Sequence, residues 1–229
     1  MPRLTHFRLC PFSRSVRALL AELSIGVELI EERPWEARPQ LMALNPAGEL
    51  PILEFDGGIV LCGAYAISEY LGEELVRPED GLIIPAFPGN RDQRAEIRRL
   101  VDWFHGKLNR DVSRWLLEEK VYRQVRGGGT TPDTEVMRAV RTNMRYHLGY
   151  IGHLVDQRSW LAGDDLSFAD LAAASHISIA DYLGEVPWDE HPSAKLWYAR
   201  LKSRKAFRTL LADRLPGMPP PMHYTDPDF

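Results

Sequence analysis

Apolar positions recur three and four residues apart in SRSVRALLAEL (13–23), where Val16, Leu19, Leu20 and Leu23 share one face and predict a helix. Ser13 is the natural N-cap. Two short strands are expected around it, LTHFR (4–8) and VELIEE (27–32), and RPQLMAL (38–44) predicts a short helical piece. LPILEF (50–55) and GGIVLC (57–62) lie either side of Asp56-Gly57-Gly58 and predict a hairpin. AYAISEYLGEEL (64–75) returns to helix. The order βαβαββα over residues 1–75 requires a mixed sheet whose first two strands run parallel through a right-handed crossover, a thioredoxin-like layout.

Residues 76–90, VRPEDGLIIPAFPGN, have no apolar period and break at prolines and glycines, so they read as a linker. The chain then turns helical over 91–214. Residues 91–125 predict one long amphipathic helix or a kinked pair, and GGGTTP (127–132) follows as a hinge. In 133–157, Val136, Val140, Met144, Leu148, Ile151 and Leu154 keep an apolar stripe. LSFADLAAASHISIADYLGEV (166–186) opens with Ser167 and Asp170 at capping-box spacing, and a last helix is expected over about 192–213. The fold class is α/β followed by all-α, with a proline-rich tail over 215–229.

With 229 residues, 45% of them hydrophobic, the chain is long enough for two small domains with real cores. A net charge of −4 provides no overall basic field, so no nucleic-acid partner is expected. No apolar run reaches the length of a membrane span, so no membrane insertion is expected. Two cysteines far apart give no disulfide framework, which places the protein in a reducing cytoplasm. No cluster has metal-ligand spacing and no glycine loop suits a phosphate, so no metal and no nucleotide are expected.

Three stretches carry candidate chemistry or contacts. Cys10 ends the first strand, where the next helix points free N–H groups and its positive dipole end at a thiolate; the residue is either a reactive thiol or a small apolar filler. Arg110, Arg114, Leu117, Glu118 and Val121 lie three or four apart and give one helix face arginine, leucine and acid, a candidate partner surface. Trp35, between two prolines, is either core packing or a recognition tip. The tail LPGMPPPMHYTDPDF (215–229) cannot continue a helix and favours an extended course. Its Tyr224, Asp226, Asp228 and Phe229 interleave aromatics with carboxylates, and we expect it to dock along the surface near the first-domain groove.

CPFS (10–13), NPAGELPIL (45–53) and LAGDDLSFADLAAA (161–174), in this order and behind this element pattern, resemble the cytosolic glutathione transferase superfamily over essentially the whole chain. The resemblance implies a cis bond before Pro51, with the Leu50 backbone turned out to pair with bound glutathione. It implies that Cys10 or Ser13 serves the glutathione thiol. The family also carries an acidic residue and a serine before the last helix of the first domain, to receive the γ-glutamyl end. Here LCGAYAI (61–67) puts Gly63 and Ala64 in those places. Losing two charge-assisted hydrogen bonds of about 1.5–3 kcal/mol each weakens glutathione by on the order of a hundredfold or more. No cofactor is therefore required, and glutathione is expected to bind weakly. Segments along the whole chain, the tail most distinctively, resemble a branch of the superfamily that binds filaments of the division protein FtsZ. That branch implies a homodimer acting at the division site; the alternative is a glutathione transferase or thiol reductase working through Cys10 or Ser13.

Overall fold

The computed structural model describes residues 1–74, 86–127 and 131–226. Four strands, β1 (Arg3–His6), β2 (Glu28–Glu31), β3 (Ile52–Glu54) and β4 (Val60–Cys62), form one sheet in the order β2-β1-β3-β4. β1 and β2 are parallel with Leu4 opposite Leu29, and β3 runs antiparallel to both of its neighbours. Helix α1 (Pro11–Glu22) supplies the crossover, α2 (Pro39–Leu44) follows β2, and α3 (Ala64–Glu74) follows the hairpin, whose turn uses Gly58 at φ 84°. The βαβαββα order and the parallel first pair agree with the sequence pattern.

Ser13 is not the cap of α1. Cys10 takes the N-cap position and Pro11 the first helical one, because a proline there loses no hydrogen bond and is already set to helical φ. Ser13 is thus carried into the first turn and is fully buried.

The helical part begins with α4, a continuous helical body over 91–125, closed at its start by a capping box between Asn90 and Gln93. Its segments Asp102–Ser113 and Glu118–Tyr122 are π-helical, with wide i→i−5 bonds such as Arg114 N–H to the Asn109 carbonyl. The buried side chains follow this wider turn: Phe104, Leu108, Val112, Leu116 and Val121 step by four, four, four and five rather than by three and four, with Leu117 buried beside Leu116. After it come α5 (Thr134–Val155), α6 (Phe168–Tyr182), α7 (Pro192–Lys202) and α8 (Lys205–Leu211). The last two replace the single helix expected over 192–213. Arg204 leaves helical geometry at ψ 139° and its guanidinium forks onto Glu22 of α1 at 2.5 and 2.8 Å, docking the break onto the first domain.

α6 is the hub. Every residue in it is buried, consistent with its apolar sequence, and it packs on α1 of the first domain and on α4. The Ser167–Asp170 capping box forms as its spacing predicts. The Asp170 carboxylate also accepts from the Leu161 N–H at 3.0 Å and from the Trp197 indole N–H at 3.0 Å, so one buried acid ties α6, α7 and the preceding loop.

The linker residues 76–85 and tail residues Asp228 and Phe229 lie outside the described residues. At the linker's end Ala86 and Phe87 are buried, and the Ala86 carbonyl accepts from the Phe168 N–H. The described tail docks, but against the helical domain and α1, not beside the first-domain groove. Tyr182 Oη donates to the Met218 carbonyl and accepts from the Leu215 N–H, both at 2.7 Å. Lys202 Nζ donates to the His223 carbonyl at 2.9 Å, while the His223 ring meets Asp181 at 3.0 Å. Tyr224 is fully buried: its hydroxyl accepts from Arg14 at 2.6 Å and donates to the Leu210 carbonyl at 3.3 Å. Tyr224 is therefore an internal anchor and not a partner contact.

Candidate functional site: a cleft and an adjoining arginine surface on one helix

A cleft of about 980 Å³ lies between the domains, with Cys10, Leu50, Gly63 and Ala64 on one wall and Val101, His105 and Tyr122 on the other. The Leu50–Pro51 bond is cis, as the resemblance implies, and Leu50 lines the cleft. The Cys10 thiol points at the Leu50 carbonyl, 3.8 Å away. Burial pushes the pKa of this thiol up, against the opposing pull of the Ser13 hydroxyl and of the Ser13 and Phe12 N–H groups. The resting group at neutral pH is a thiol, not a thiolate. The Ser13 hydroxyl is itself buried and satisfied by no well-formed hydrogen bond.

Beyond Cys10 the cleft reaches the start of α3. The Gly63 carbonyl accepts from the Ile67 N–H, so Gly63 is the N-cap, and it has no side chain with which to cap. It sits at φ 87° with open space where a Cβ would be, so backbone conformation, not crowding, favours glycine there. The N–H groups of Ala64, Tyr65 and Ala66 have no intrahelical partners by the geometry of any helix start, and all three residues line the cleft. An anion can still be met here by backbone and dipole, but by no side-chain oxygen from position 63 or 64.

Trp35 closes the cleft as packing rather than as a free tip. Its ring meets Phe7 edge-on at 5.1 Å and Tyr122 at 5.4 Å, joining the first domain to α4. Arg98 and Arg126 also line the cleft, and each is engaged: Arg98 forks onto Glu69 at 2.8 Å, and Arg126 pairs with Glu118 at 2.9 Å and lies over the Tyr122 ring.

Beside the cleft, along α4, the predicted partner face divides. Arg110 and Arg114 are exposed, and among the described residues neither forms an ion pair. Glu118 is half-buried and committed to Arg126. Leu117 and Val121 face inward, at 3% and 0% exposure, because the π-helical turns rotate them off the line that ordinary helical spacing draws through Arg110 and Arg114. Val121 is core, and Leu117 reaches only the floor of a second concavity of about 390 Å³. That concavity also holds Arg114 and Trp115, and it shares Phe12, Asn109, Tyr122 and Arg126 with the main cleft, so it continues the cleft along α4. Trp115 is 40% exposed beneath the Arg114 guanidinium, 4.4 Å from the ring centroid. Sequence reasoning passed over Trp115, although its place beside Arg114 in SRWLL was a signal. Asp226 is exposed on the tail, away from this face.

Fold and cleft together define the class. Residues 4–78 match the glutathione S-transferase N-terminal domain and residues 115–205 the glutathione S-transferase C-terminal domain; the chain belongs to the glutathione S-transferase family. Within it, the chain is 42% identical to FtsZ-localized protein A of Caulobacter vibrioides, over 99% of this chain and 97% of that protein. The solved structure of FzlA from C. crescentus superposes with a TM-score of 0.92 at 42% identity, covering 100% of this chain and 99% of the other. A crystal structure of a glutathione S-transferase from Sinorhizobium meliloti 1021 superposes with a TM-score of 0.94 at 46% identity, covering all of both chains.

Proposed function

We propose that this protein binds FtsZ filaments and regulates their organisation at the division site, as a cytoplasmic homodimer and without efficient glutathione chemistry. The observation that carries this reading is the contrast between the cleft and the surface adjoining it on α4. The cleft lacks the family's side-chain partners for glutathione, while the adjoining surface has two exposed arginines that form no ion pair among the described residues, one of them stacked on an exposed tryptophan. Arginine and tryptophan are the residues most often found at the energetic centre of protein interfaces, and an acidic filament subunit would complete them. The similarity to FtsZ-localized protein A supports FtsZ as that filament.

A dimer gives this arrangement its effect. Two copies of the face on one particle engage two filament subunits, and effective concentration raises avidity without a tight single contact. The test is sedimentation: the protein pellets with polymerised FtsZ and stays in solution without it. A protein that remains in the supernatant while the polymer pellets normally refutes the reading.

A second reading, a glutathione-dependent transferase or thiol reductase, draws on the cis Leu50–Pro51 backbone and on the free N–H groups at the start of α3. Micromolar glutathione affinity by calorimetry, with turnover abolished by Cys10→Ala or Ser13→Ala, would put that reading first.

A further inference from the structure

Inward from the cleft wall, the half-buried His105 and three buried side chains, on three helices in all, form a line that no step above uses. Ser15 of α1 meets His105 of α4 at 3.2 Å; His105 Nδ1 meets His176 Nε2 of α6 at 3.0 Å; and His176 Nδ1 meets Ser113 of α4 at 2.7 Å. Ser15, Ser113 and His176 are at most 1% exposed. Phe12 packs on both rings, 4.8 Å from His105 and 5.6 Å from His176.

The direction of every proton in this line follows from its first link. The Ser15 hydroxyl donates to the Phe12 carbonyl at 2.9 Å, so it accepts from His105 Nε2–H. His105 Nδ1 then carries no proton and accepts from His176 Nε2–H, which leaves His176 Nδ1 to accept from the Ser113 hydroxyl. All four bonds point one way, from Ser113 of the helical core to the Phe12 carbonyl in the first turn of α1. A second proton on His105 would set two N–H donors against each other across 3.0 Å.

We propose that Ser113, His176, His105 and Ser15 are a one-way hydrogen-bonded lock between the domains, which fixes the Cys10–Phe12 loop and opens when a histidine is protonated. The surroundings suit neutral rings. Burial lowers the pKa of His105 to about 3 and holds that of His176 well below its ordinary value, with His105 and His147 adding to the effect on His176. The charged groups nearest the line beyond these are Asp111, bonded to His147 at 3.1 Å, and Lys107, paired with Asp111. From α1 the line meets only Ser15 and the Phe12 ring and carbonyl.

The test is long-range ¹H–¹⁵N correlation on the full chain with labelled histidine, from pH 7.5 to 5.0. His105 and His176 are expected as Nε2–H tautomers, neutral throughout the range. Either ring titrating near 6.5, or carrying its proton on Nδ1, overturns the proposal. Coupling to the loop is read from Cys10 in a Cys62→Ser background, as its rate with an aromatic disulfide reagent at pH 7.5. His176→Phe removes two links and is expected to raise that rate about tenfold, the effect of about one hydrogen bond's worth of loop opening. A folded His176→Phe variant with an unchanged rate overturns the coupling, and if that variant does not fold, the tautomers of the unaltered protein decide.

Discussion

The cleft and the concavity beside it on α4 differ in what their cations are doing. In the cleft both are spent, Arg98 on Glu69 and Arg126 on Glu118, the Cys10 thiol is held neutral by burial, and it is the carboxylates of Glu49 and Asp102 that form no ion pair among the described residues. Beside it, Arg110 and Arg114 form no ion pair among the described residues, and Trp115 is left exposed under a cation. A family fold can thus keep the backbone frame of a site while the groups free to bind differ in kind along one helix.

The largest expected effect breaks the arginine surface. Reversing both Arg110 and Arg114 to glutamate should raise the dissociation constant for polymerised FtsZ more than a hundredfold, with circular dichroism and dimerisation unchanged, because exposed positions tolerate substitution within about half a kcal/mol. Loss of dimerisation together with binding would move the two arginines into the subunit interface.

A smaller effect sharpens the cleft. Ala64→Ser returns one hydroxyl to the start of α3 and should tighten glutathione about tenfold by calorimetry, from a millimolar starting point. No change would mean that the missing side chains do not limit binding.

Acid should destabilise the fold. His6, at about 4, His105, at about 3, and His147, His176 and His191 all have pKa values depressed by burial. The unfolded chain therefore binds more protons between those values and 6.5. The stability they confer is fully present above pH 6.5 and is lost as pH falls toward 4. Asp170 and Asp181, raised by burial, work in the opposite sense. With five histidines against two carboxyls, Tm should be lower at pH 5 than at pH 7.5; an equal or higher Tm would show that the buried acids dominate.

Smallest is the salt effect: raising ionic strength from 50 to 300 mM should weaken filament binding several-fold, since the face is exposed and screened. Indifference to salt would assign the contact to Trp115 rather than to the arginines.

Much of the fold was legible because local rules and tertiary packing agree. The hairpin turn at Asp56-Gly57-Gly58, the parallel crossover and the Ser167–Asp170 box all follow from residue type and spacing. Leu117 and Val121 were misplaced because a 3.6-residue turn was assumed where the helix is π-helical. The four-residue steps from Phe104 to Leu108, Val112 and Leu116 were in the sequence and pointed to the wider turn. Tyr224 was misplaced because nothing local announces that Arg14, more than two hundred residues earlier, needs a buried hydroxyl. The His105–His176 contact is equally invisible, since it depends on how α4 and α6 cross. In the cleft, the loss of the γ-glutamyl side chains at Gly63 and Ala64 was readable only against the family pattern.

The central claim is that the working surface is the Arg110 and Arg114 surface of α4 and not the thiol site. Co-sedimentation of Arg114→Glu and Cys10→Ala with polymerised FtsZ, run side by side at one salt concentration, tests it most directly. The account predicts that Arg114→Glu loses at least tenfold in affinity while Cys10→Ala pellets like the unaltered protein; loss of binding by Cys10→Ala with Arg114→Glu unaffected would contradict it.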